Sequence, residues 1–106
     1  MSESSFSPPE SIDNLREEID RLDSELLSIF NRRANLALLI GQIKKTRGLP
    51  VYDPSREKRI FERMKSANEG PLEDGAVVRL FERVIDESRR LERIMTHPEE
   101  PGDKEQ

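Results

Sequence analysis

The chain contains no cysteine and no tryptophan, and only one histidine and one tyrosine. Without a thiol, disulfides, thiolate nucleophiles and zinc–thiolate sites are excluded. The single histidine, His97, lies in the polar tail with no companion ligand motif, so neither a transition-metal site nor a Ser-His-Asp hydrolase has its parts. No apolar run approaches a membrane span, and the opening stretch "MSESSFSPPES" lacks a basic n-region and an apolar segment of signal-peptide length. A soluble, cytoplasmic protein is the expectation. Basic residues do not dominate either: 18 Lys+Arg stand against 22 Asp+Glu, interleaved along the chain for a net charge of −4. That balance argues against a nucleic-acid partner. Neither a Gly-rich phosphate loop nor a metal motif is present.

What the sequence does have is charge and helical periodicity. Of its 106 residues 38% are charged and 33% apolar, with a mean hydropathy of −0.80. A domain of this size and polarity has little material for a core and is marginal alone. No β-type alternation is found, and the fold class predicted is all-α with three helices. Residues 1–11 and 98–106, rich in Ser, Pro and Glu, are expected to be disordered, leaving 12–97 as one domain.

The first helix is predicted from about Asp13 to Thr46, with Asp13 or Ser11 as N-cap and Gly48 with Pro50 as the stop. Such a helix makes a rod of roughly 50 Å, longer than the ~30 Å diameter of a small domain. Two further helices cannot cover its apolar stripe, so an intertwined homodimer is the economical solution. The second helix opens at "YDPSRE", with Asp53 as N-cap and Pro54 at the first helical position, and ends near "NEG". The third runs from about Pro71–Asp74 to Met95.

Both long helices carry a broken apolar register. In the first, Leu15, Ile19, Leu22, Leu26 and Ile29 resume at Leu36, Ile40 and Ile43, and the position that keeps the step between is Arg33, a cation that cannot lose its charge. In the third, Val78, Phe81 and Ile85 are followed by Ser88 and Glu92, then Met95. Arg33 and Lys44 differ by only ~20° around the helix and about 16 Å along it. Leaning together, two such side chains grip one small anion, and a cation-lined pocket in a helical bundle reads as a site for a small polycarboxylate.

Each residue also has a plainer reading. Arg33 fits a half-buried ion pair or a register-fixing polar position. Lys44 fits a snorkelling lysine, Ser88 a small packing residue, and Glu92 a solvated edge. Glu57 complements the dipole at the start of the second helix, where Arg56 is disfavoured without a task. Arg16 lies about 25 Å from Arg33 along the axis and ~100° round, so the two reach one site only if a second chain contributes. The runs "RRLER" and "REEIDRLDSE" read as solvated surface with i,i+4 pairs, without function beyond Glu92. Gly41, which costs up to ~1 kcal/mol against Ala inside a helix, marks close approach of another helix.

Taken in order, "LREEIDRLDSELL" with Arg16, "RRANLALLIGQIKK" with Arg33 and Lys44, "PVYDPSRE" with Asp53, Arg56 and Glu57, and "LFERVIDESRRLE" with Ser88 and Glu92 resemble the all-helical, AroQ-class chorismate mutases. The resemblance covers about residues 13–95. It implies a chorismate mutase domain over 12–97, built as an intertwined dimer of three-helix chains. Its reaction is the Claisen rearrangement of chorismate to prephenate in aromatic amino-acid biosynthesis, with no cofactor and no metal.

By the same resemblance Arg33 and, from the other chain, Arg16 hold the substrate carboxylates. Lys44 bonds the ether oxygen and a carboxylate. Glu57 and backbone near Asp53 hold the ring hydroxyl, and Arg56 and Ser88 complete the carboxylate end. Glu92 donates to the ether oxygen from the side opposite Lys44, and as a carboxyl it donates only when protonated. Two alternatives remain open here: an isochorismate-pyruvate lyase of the same fold, and a non-catalytic regulatory dimerisation module.

Overall fold

The structure, a computed structural model, describes residues 11–96; the two predicted disordered tails and His97 lie outside the described residues, Ser11 apart. Three helices follow one another: α1 (Ile12–Arg47), α2 (Pro54–Ala67) and α3 (Asp74–Thr96). Each boundary has a local cause. Ser11 Oγ accepts from the Asn14 N–H at 3.1 Å, so Ser11 rather than Asp13 caps α1.

At the other end of α1 Gly48 takes φ +69°. The Leu49 N–H then reaches back to the Lys44 carbonyl at 2.8 Å and Gly48 N–H to the Lys45 carbonyl at 3.3 Å. This pair of bonds satisfies the last carbonyls and ends the helix. Asp53 caps α2, its carboxylate accepting from the Arg56 N–H at 3.1 Å. Asn68 organises the α2–α3 connection, its amide donating to the Leu72 carbonyl at 2.8 Å and to Asp74 Oδ1 at 2.9 Å.

The chain divides into two compact units between Arg33 and Ala34, within the continuous α1. In the first unit no described residue is buried. Its stripe is open to solvent, from Leu15 at 47% exposure to Leu22 at 60%. Its apolar residues recur at helical spacing along one face of α1. Arg21 and Glu18 pair one turn apart on the polar face, at the i,i+3 rather than the i,i+4 spacing.

The second unit comprises the end of α1 with α2 and α3. Its apolar core is small: Ala37, Ile60, Val77 and Ile85. Around it Phe61, Met64, Val78, Phe81 and Val84 are half-buried, so the α3 stripe is wider than the 78–81–85 step predicted. The face of α1 that meets α3 carries the small residues Ala37 and Gly41, both buried. A Cβ on Gly41 would stand 2.9 Å from Glu92 Cα and 2.9 Å from Met95 Cβ. Backbone contact this close leaves no room for a side chain, which is the use predicted for this glycine. Leu36, Ile40 and Ile43 stay exposed on the other side of α1.

Candidate active site

Helix α1 ends one turn after Lys44, and the turn at Gly48 brings the chain back alongside it. Lys44 Nζ donates to the Val51 carbonyl at 3.1 Å. It also lies 2.8 Å from Glu92 Oε1, with the two side chains only 17% and 13% exposed. Gly41 sets this pair up, because its missing side chain lets the α3 backbone at Glu92 approach α1. An ammonium has three protons to donate. One is engaged by the Val51 carbonyl, while the Glu92 carboxylate balances the charge as an ion pair.

One turn earlier on α3, Ser88 Oγ donates to the Val84 carbonyl at 3.1 Å. Beside it stands Arg89, which bridges three elements. Its Nε lies 3.2 Å from Glu57 Oε2 and its Nη2 donates to Glu57 Oε1 at 3.4 Å. Nη2 also reaches Asp86 Oδ1 at 3.1 Å, and the guanidinium sits over the Tyr52 ring, 5.6 Å from its centroid. The site is thus built on two cation–carboxylate pairs set along α3, Lys44–Glu92 and Arg89–Glu57.

The predicted residues take the following places. Lys44, Glu57, Ser88 and Glu92 are half-buried and belong to one unit, with Asp53 and Arg56 at the start of α2. The Asp53 carboxylate is engaged as the N-cap, and the Arg56 side chain is exposed. Arg33 is half-buried and Arg16 exposed on the N-terminal unit. All four polar interruptions of the apolar registers, Arg33, Lys44, Ser88 and Glu92, are therefore shielded in part from solvent rather than on a solvated face.

One expectation needs correction. Arg89 belongs by sequence to the solvated "RRLER" run, yet it is half-buried and holds Glu57; Arg90, paired with Glu87, and Arg93 are exposed as expected. The signal for it is the alternative step 85–89–92, which keeps helical register as well as 85–88–92 does. Lys44 and Glu92, both expected to reach one substrate atom, touch each other directly. Tyr52 escapes a reading by pattern because it stands in a loop, where periodicity says nothing.

An all-helical chain whose apolar registers are interrupted by half-buried cations and carboxylates has the form of a helical small-anion enzyme, and the comparisons narrow this to one family. The model of the family described as Chorismate mutase type II matches residues 15–93, and the chain belongs to that family. A bifunctional chorismate mutase/prephenate dehydratase of Aquifex aeolicus is 39% identical over 88 residues, covering 79% of this chain and 24% of the relative. The chain thus spans about a quarter of the length of such bifunctional relatives. Form II of a chorismate mutase from Thermus thermophilus superposes with TM-score 0.76 at 35% identity, covering 77% of this chain and 93% of that one. A chorismate mutase from Helicobacter pylori in complex with prephenate gives TM-score 0.73 at 32% identity, covering 79% and 91%.

Proposed function

We propose that this chain converts chorismate to prephenate by Claisen rearrangement, in the cytoplasm, as a step of phenylalanine and tyrosine biosynthesis. The observation that carries the reading is the shielded Lys44–Glu92 pair against the Gly41 contact, in a chain whose family match covers nearly all its described residues. The reaction breaks one C–O bond and forms one C–C bond within a single molecule, so no atom enters or leaves. It needs a flexible dianion held in a compact conformer, and donors where negative charge grows on the departing ether oxygen.

The residues divide that work. Lys44 gives an N–H to the ether oxygen, and Glu92, once protonated, donates to the same atom. For both to reach it, the direct contact between them opens as substrate enters. Arg33 and Arg16 of a second copy hold the carboxylates, with Arg56 and Ser88 completing that end, and the working form is a homodimer. Glu57 and backbone near Asp53 take the ring hydroxyl. The test is to follow chorismate loss and prephenate formation with purified protein, with isochorismate as a parallel substrate. Prephenate from chorismate supports the reading, and pyruvate release from isochorismate without any prephenate overturns it.

A further inference from the structure

We infer that Arg89 is a positioning residue: it fixes the Glu57 carboxylate and the Tyr52 loop, and through them sets the grip on the ring hydroxyl of the substrate. The inference rests on the mutase reading above, which gives Glu57 its ligand. Glu57 stands in the first turn of α2, and a glutamate left to itself there samples several rotamers. Arg89 limits that freedom through one hydrogen bond, Nη2 donating to Oε1 at 3.4 Å, and an ion-pair contact in which Nε, itself without a hydrogen bond among the described residues, lies 3.2 Å from Oε2. Contact at both carboxylate oxygens restrains the plane of the carboxylate, which contact at one does not. The pair is shielded, with side chains 26% and 19% exposed.

Arg89 is itself held from two sides. Asp86, three residues back on α3, takes Nη2 at 3.1 Å, and the Tyr52 ring lies against the guanidinium. This cation–π contact, 5.6 Å to the centroid of a ring that stays 58% exposed, meets the loop between α1 and α2 at one residue, while Lys44 holds the same loop at the neighbouring Val51 carbonyl. Asp53, next along, is fixed as the α2 cap. An ionised carboxylate offers about four lone-pair sites. With one of these taken by Arg89 Nη2, others remain where a hydroxyl donor can meet them.

The protein supplies its own reporter, because Tyr52 is its one tyrosine and tryptophan is absent. The experiment compares native protein, Arg89→Ala, Glu57→Gln and the double variant, with Arg89→Gln as a second removal of the charge that keeps side-chain length. Arg89→Ala is expected to lower kcat/KM for chorismate about tenfold in the native background and less than about twofold in the Glu57→Gln background. The tyrosine band in near-UV circular dichroism should weaken in both Arg89 variants while far-UV helicity is kept. Equal losses in both backgrounds would overturn the inference, as would an unchanged tyrosine band. A native protein that does not turn over chorismate would instead overturn the mutase reading, and the tyrosine band would still test the clamp.

Discussion

Lys44 and Glu92 meet between α1 and α3 with Nζ and Oε1 2.8 Å apart, so a cation and a carboxylate are held against each other. On the proposed reading chorismate exchanges places with one partner of this pair. An ionised carboxylate only accepts hydrogen bonds, whereas an amide also donates. Glu92→Gln is therefore expected to keep kcat for chorismate within about tenfold of native, and Glu92→Ala, which offers no donor, to lose about a hundredfold or more. An unchanged kcat in Glu92→Ala would remove Glu92 from the role of ether-oxygen donor.

Gly41→Ala tests the contact beneath that pair. Helix propensity alone favours alanine by up to ~1 kcal/mol. Here the new Cβ meets the Glu92 backbone at 2.9 Å, and backbone cannot swing aside as a side-chain end can. A net loss of about 1–3 kcal/mol in urea unfolding is expected, together with a fall in kcat as Lys44 and Glu92 are pushed apart.

The exposed stripe of α1 bears on assembly. Sedimentation equilibrium is expected to give a dimer of about twice the 12.3 kDa chain, and dilution to monomer should unfold it. Leu22, 60% exposed in the single chain, is the position to disturb: Leu22→Lys should shift the equilibrium to unfolded monomer. A folded monomer at micromolar concentration would contradict this.

Sharing of sites is tested by mixing. Arg16→Ala and Arg33→Ala homodimers should each lose about a hundredfold or more in kcat/KM. After exchange at equal concentrations about half the dimers are mixed, each with one intact site, so about a quarter of native activity should return. No recovery, with exchange confirmed by native mass spectrometry, rules out a shared site.

The helices are legible in the sequence because their ends are written locally: Asp53 with Pro54 starts α2 and Gly48 stops α1, each within one turn. The polar breaks at Arg33, Lys44, Ser88 and Glu92 are legible because a missing apolar residue in a periodic stripe is itself a signal. Arg89 is hidden by the opposite circumstance. It sits in a run of cations, and its partner Glu57 lies 32 residues away, a pairing that no period encodes. The same holds for the direct meeting of Lys44 with Glu92. Periodicity places each on its helix, and only the α1–α3 separation at Gly41 decides that they touch.

The paired arrangement also governs how a ligand arrives. Lys44 and Arg89 are each neutralised by a carboxylate at contact distance, and the chain as a whole carries −4. A dianion approaching from solution therefore meets no long-range attraction from these two cations, and the net field of the protein opposes it. On the proposed reading, attraction from Lys44 begins only at contact, where a ligand oxygen takes the place of Glu92, so discrimination between anions is made there and not during approach.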